Sequence, residues 1–215
     1  LQHRVANNLG NVAALLSLQL RALEPAEARA AEALDEARCR IDMFGRIHRR
    51  LYDPVSETCS LDALLGELCR DILNGCGTDH IACSVETHGI DLPPSQRLPV
   101  ALLICEAVTN AAKHAFRSSK SGTISISLVR AATGLTLLIA DDGGGAVGKA
   151  QGSSGGLGAK LMEAFAGQID GSLSVASEPT GTTVRLDFPQ REDGRGWGGA
   201  IAIERDAGER RATRL

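Results

Sequence analysis

At 215 residues the chain is long enough for one large domain or two small ones, and with aromatics at only 3% its core must be built from Leu, Ile, Val and Ala. Its net charge of −3, with acids and bases interspersed, excludes a basic nucleic-acid footprint and a polybasic membrane anchor. Six cysteines, at positions 39, 59, 69, 76, 83 and 105, contain no C-x-x-C pair and no zinc-type spacing, so they read as reduced, mostly buried thiols of a cytoplasmic protein. The longest strongly apolar run, Val100 to Cys105, is too short for a membrane segment, and no secretory signal is visible. The chain begins at Leu1 rather than methionine, as expected of a fragment with a segment upstream.

The first 23 residues read as an amphipathic helix, with Val5, Leu9, Val12, Leu16, Leu20 and Leu23 along one side. His3 falls on the opposite side with Asn7, Gly10 and Ala14, an uncrowded polar face that suits a reactive imidazole. By itself a lone histidine near a chain start is a solvated residue. After Glu24-Pro25, a heptad-like rhythm of Ala30, Leu34, Ala37, Ile41, Phe44 and Leu51 predicts a second helix of about 25 residues, ending near Tyr52-Asp53-Pro54. Two one-striped helices cannot enclose a core, so a homodimeric four-helix bundle is expected, with a hairpin packed on its own C-terminal domain as the alternative.

Beyond a linker at 53–60, Ser60 is placed to cap a helix running to about Asn74, with Leu61, Leu64, Leu65, Leu68 and Ile72 buried. Ile81 to Glu86 reads as a strand and a long helix follows from Ser95 or Pro99 to Phe116. Thr123–Arg130 and Leu135–Ala140 form a hairpin around Ala132-Thr133-Gly134. A helix starting after the glycine-rich stretch 143–158 and two strands, 172–176 and 182–188, complete an α+β sandwich with helices on one face of a mixed sheet. Residues 190–215, rich in Arg, Glu, Asp and Gly, read as a mostly disordered tail in which Ala200–Ile203 could add a short strand.

Three stretches carry chemistry. On the helix ending at Phe116, Glu106, Asn110, Lys113 and His114 gather on one face, opposite Val100, Ile104, Val108, Ala111 and Ala115. Such a polar face is ordinarily a solvated one, but Asn110 is a weak helix former at mid-helix; its carboxamide oxygen suits Mg²⁺ and Lys113 suits phosphate. Asp141, at a strand end before Gly143, Gly144 and Gly145, can accept a hydrogen bond from an amino group while the glycines let a ligand approach the backbone. Gly155-Gly156-Leu157-Gly158 runs straight into a helix whose amides and dipole favour phosphate. Each alone is a common turn or acidic loop; three in this order match the parts of a magnesium nucleotide.

Residues 1 to about 189 resemble the kinase core of a two-component sensor histidine kinase. His3-Arg4-Val5-Ala6-Asn7-Asn8-Leu9 resembles the HRVxNNL phosphoacceptor box of the class related to the HWE kinases, although their Trp-x-Glu signature is missing. Glu106 to Phe116 resembles the N box, Asp141-x-Gly143-x-Gly145 the G1 box and Gly156-Leu157-Gly158 the G2 box of the GHKL ATP-binding fold. The resemblance implies a dimerisation and phosphotransfer domain at 1–56, a catalytic ATP-binding domain at 57–189, and transfer of the γ-phosphoryl group of ATP to His3 and onward to a response-regulator receiver domain.

By position it implies Mg²⁺ at Asn110, adenine at Asp141, phosphate contacts at Lys113 and His114, and a pocket and lid shaped by Gly143, Gly145, Gly156, Leu157 and Gly158. Asn7, four residues after the histidine, would orient water for dephosphorylating the regulator. Arg4 stands where many such kinases carry an acid, so the base for His3 is not identified; Glu106 is a substitute by position. The short segment between Gly145 and Gly155 implies a reduced lid. Two other readings stand beside this one. A non-catalytic histidine phosphotransfer protein is opposed by the intact Asn110, Asp141 and glycine boxes. A GHKL-type ATPase or protein-serine kinase is opposed by the His3 box.

Overall fold

The computed structural model describes residues 9, 12–13, 16, 28–51, 60–78, 80–116, 121–144 and 157–191. Helix α1 spans Ala28–Leu51, as the heptad rhythm predicts. Helix α2, Leu61–Gly75, is capped by Ser60, whose hydroxyl accepts from the Ala63 amide at 3.3 Å. Strand β1 (Ile81–Glu86) leads to α3 (Pro94–Asn110), which continues as a π-helical turn over Ala111–Ala115. Strands β2 (Gly122–Ala131) and β3 (Gly134–Asp141), helix α4 (Leu157–Gln168), and strands β4 (Ser172–Glu178) and β5 (Gly181–Phe188) follow.

The sheet order is β1-β2-β3-β5-β4, with β1 parallel to β2 and the other pairs antiparallel. Because side chains alternate along a strand, the register lines up cross-strand rows on the buried face: Ile126, Ile139 and Val184 in one, Leu128, Leu137 and Leu186 in the next. Helices α2, α3 and α4 share this core with the sheet. Gln96, wholly buried, fastens the chain leaving β5: its amide donates to the Pro189 carbonyl at 2.7 Å and accepts from the Arg191 amide at 3.2 Å. Gln190 and Arg191 are further held by Arg130 and Asp170, so the packed domain reaches past 189.

Several expectations need correction. Residues 192–215, including 200–203, lie outside the described residues. The helix expected to run regularly to Phe116 widens at Ala111 into a π-helical turn. In α1 the heptad positions Leu34, Ala37, Ile41, Phe44 and Leu51 are only half-buried, whereas Met43 and Ile47 sink into the core. One side of α1 thus packs on the chain's own sheet domain and the heptad side stays partly open. Phe44 meets Phe165 of α4 edge-on, with ring centroids 5.6 Å apart. Near the chain start Val12 of the expected stripe is 44% exposed while Ala13 is buried. Of the five described cysteines only Cys69 and Cys105 are buried; Cys39 and Cys76 lie on the outside of α1 and at the end of α2.

Candidate functional site

The apolar run of β3 carries Asp141 to the end of the central strands. Its carboxylate accepts from the Gly143 amide at 3.1 Å and from the Thr182 backbone, while burial pushes its pKa above the ordinary value against those two bonds. Asp142 is spent on structure: its carboxylate accepts from the Thr123 amide at 2.6 Å and holds the start of β2. The two adjacent aspartates are therefore told apart by their partners. Gly181, at a φ of 145°, lies so close to the Asp141 carbonyl that only glycine fits.

Gly143 is pressed onto the π turn. A Cβ there would stand 2.6 Å from the Ala115 Cβ and 2.7 Å from its carbonyl oxygen, and the Gly144 amide donates to that same oxygen at 2.9 Å. Ala115 is the last residue of the turn, so its carbonyl has no donor within the helix and is open to the glycine loop.

The largest departure from the sequence reading concerns Glu106. The sequence places it on the polar side opposite the buried one, yet every residue from Pro99 to Val108 is buried, because the sheet, α1, α2 and α4 pack around α3. The Glu106 side chain is 1% exposed and is bound by Arg40 of α1, whose Nε lies 3.1 and 3.3 Å from the two carboxylate oxygens. Both carboxylate oxygens of Glu106, the residue named by position as a substitute base for His3, are thus engaged by Arg40. Arg40 also donates from Nη2 to Glu36 at 3.1 Å, and Lys113 lies 3.5 Å from the same Glu36. Asn110, the last residue of α3, is half-buried; Lys113 and His114 stand exposed on the π turn.

Gly158, at the start of α4, closes the group. A Cβ there would meet Glu106 Oε2 at 2.9 Å, Asn110 Nδ2 at 3.3 Å and Arg40 Nη2 at 3.4 Å, so three polar side chains converge on one bare backbone position. Leu157 beside it is 55% exposed. His3, Asn7, Gly145 and Gly156 lie outside the described residues. Arg40, Glu36, Thr182 and Gly181 were not read from the sequence. An arginine in a helix already rich in charge carries no local signal, and its partner is 66 residues away.

Burial raises the Glu106 pKa and the Arg40 charge opposes it, with Glu36 adding to the rise and Lys113 lowering it. An acid held above its unfolded value binds more protons folded than unfolded, so its contribution to stability falls as pH rises from about 4.3 through the folded value. Urea midpoints measured between about pH 4 and 7 should show this decline in the wild type relative to Glu106→Gln; parallel curves would refute it.

The two halves of the chain also match known sequences. The profile described as "Histidine kinase" matches residues 1–76 and that described as "Histidine kinase-like ATPase domain" matches residues 79–188. The chain belongs to the histidine kinase family. Relatives of this histidine kinase domain include the sensor histidine kinase PdtaS of Mycolicibacterium smegmatis, 33% identical over 202 residues that cover 91% of this chain and 40% of that protein. The blue-light-activated histidine kinase 2 of Erythrobacter litoralis is 26% identical over 196 residues, covering 87% and 55%. The chain therefore spans about two-fifths to just over half of these relatives. The solved histidine kinase domain of Erythrobacter litoralis EL346 shares the fold, with a TM-score of 0.63 at 21% identity over 84% of this chain and 96% of that one.

The family's ATPase domain implies a bound adenine nucleotide with Mg²⁺, and the residues present fit that group. Asn110 offers a neutral hard oxygen and Lys113 an ammonium. Gly158 brings the first turn of α4 against Asn110 and Glu106 with no side chain between, and Asp141 offers a half-buried carboxylate. Among the described residues no three or more His, Cys, Asp or Glu side chains gather as a metal site. No helix among them is long and apolar enough to cross a membrane.

Proposed function

We propose that this chain is the cytoplasmic kinase core of a two-component system: it binds Mg-ATP between Asp141 and the N-terminus of α4, phosphorylates His3, and passes the group to a response-regulator aspartate. The observation that carries the reading is the convergence of Asn110, Glu106 and Arg40 on Gly158, on the same helix whose far end seats the Gly143 loop. Asp141 would accept from the adenine amino group, Asn110 would hold Mg²⁺, and Lys113, His114 and the α4 amides would receive the phosphates. Gly145, Gly156 and Leu157 would belong to the lid. When bound, Mg²⁺ neutralises charge on the phosphates.

A ring nitrogen of neutral His3 forms the N–P bond as the bond from γ-phosphorus to the bridging oxygen breaks. ADP leaves with that electron pair, and the proton on the ring's other nitrogen passes to water. The protein's part is placement and charge, which account for most of the rate in phosphoryl transfer. Two hairpins would pair as a homodimer through the half-covered heptad side of α1, and Asn7 would orient the water that dephosphorylates the regulator.

The test is incubation with γ-labelled ATP and Mg²⁺. Wild type should acquire acid-labile, alkali-stable label, and His3→Ala and Asn110→Ala should acquire none. Label persisting in His3→Ala would overturn the assignment of the acceptor. Absence of both label and nucleotide binding in the wild type would favour the non-catalytic phosphotransfer protein.

A further inference from the structure

Among the described residues of the helical segment, Arg40 bonds directly to Glu106 at the centre of this site, and its bonding is incomplete. Its side chain is 11% exposed; Nε serves Glu106 and Nη2 serves Glu36, yet Nη1 is buried with no hydrogen-bond partner among the described residues. A buried N–H on a charged group left unpaired is costly, and native structures seldom keep one without a use. The surroundings are suited to an anion. The Arg40 guanidinium, the Lys113 ammonium and the N-terminus of the 12-residue helix α4 bring positive charge together, offset by Glu36 and Glu106.

The order along the helix decides which anion. Ala115, under the Gly143 loop and Asp141, marks the end proposed for adenine; then come Lys113, Asn110 and finally Glu106 with Arg40. Glu106 and Ala115 are nine residues apart, about 13 Å at the rise of a helix. A nucleotide laid along this line reaches Arg40 with its last phosphate. The transferred group must also face the segment that carries its acceptor, and α1 belongs to that segment.

We propose that Arg40 donates from Nη1 to the terminal phosphate of the bound nucleotide, so that the site distinguishes a nucleoside triphosphate from a diphosphate through a residue of the helical segment. The inference rests on the ATP reading above. With a diphosphate bound, Arg40 keeps only Glu106 and Glu36; with a triphosphate, its unpaired Nη1 gains an acceptor and α1 is tied to the nucleotide.

The experiment is calorimetric binding of Mg-ATP and Mg-ADP to the full chain, as wild type, Arg40→Gln and Arg40→Lys. The ratio of the two dissociation constants is independent of folded fraction, because both nucleotides bind the same folded form. In Arg40→Gln the preference for ATP over ADP should fall about tenfold, from weaker ATP binding with ADP affinity nearly unchanged, and Arg40→Lys should recover part of it. An unchanged ratio in Arg40→Gln would overturn the inference while leaving the ATP reading intact. A wild type that binds neither nucleotide would overturn both.

Discussion

Arg40→Ala should lower the free energy of unfolding by about 3–5 kcal/mol, read as a shift in urea midpoint at neutral pH. The reason lies in what is left behind. Glu106 is 1% exposed and Arg40 is its charge partner, so truncating the arginine leaves a carboxylate in a low-dielectric interior without the cation that binds both its oxygens. The cost should shrink as pH falls, because protonation then relieves the charge. The double variant Arg40→Met with Glu106→Leu should recover most of the loss, since a buried ion pair replaced by apolar groups of similar volume is often neutral. A loss below about 1 kcal/mol in Arg40→Ala, the range of a solvated pair, would show that the pair is not buried in solution.

Gly143→Val should cost about 1–3 kcal/mol of stability and weaken adenine-nucleotide binding roughly tenfold or more. Its first side-chain carbon would stand 2.6 to 2.8 Å from the Cβ, O and C atoms of Ala115. Two of those are main-chain atoms that cannot rotate aside, so the loop must lift. Lifting it breaks the Gly144 bond to the Ala115 carbonyl and removes the Gly143 amide that orients Asp141. Gly144→Ala is the control, because a Cβ there lies 3.9 Å from the same oxygen, an ordinary contact. Equal affinities for ATP in the two variants would refute this account of the loop.

Elements whose signals are local were legible in the sequence. Ser60 caps α2 because a hydroxyl at that place satisfies an amide three residues on, whatever surrounds it. The β2–β3 hairpin and the β4–β5 pair follow from alternation between turn residues, and their registers line up the apolar rows that alternation predicts. Asn110, Asp141 and Gly158 were marked by residue type and order. The same local reasoning misplaced Glu106. Helical periodicity assigns a face, but only the neighbours of that face decide whether it meets water.

The sequence by itself thus determined the order of the described elements, their caps and their turns, since each is written in periodicity and short motifs, and it named the residues proposed for a magnesium nucleotide. Only the tertiary structure decided how those residues are charged and held. The packing of α1 and α4 on either side of α3 buries Glu106 and brings Arg40 to it across 66 residues. Gly143 closes on Ala115 at the end of the π turn, and the start of β2 takes Asp142 while Asp141 stays beside the glycine loop. These are contacts between distant segments, and no spacing within one segment encodes them.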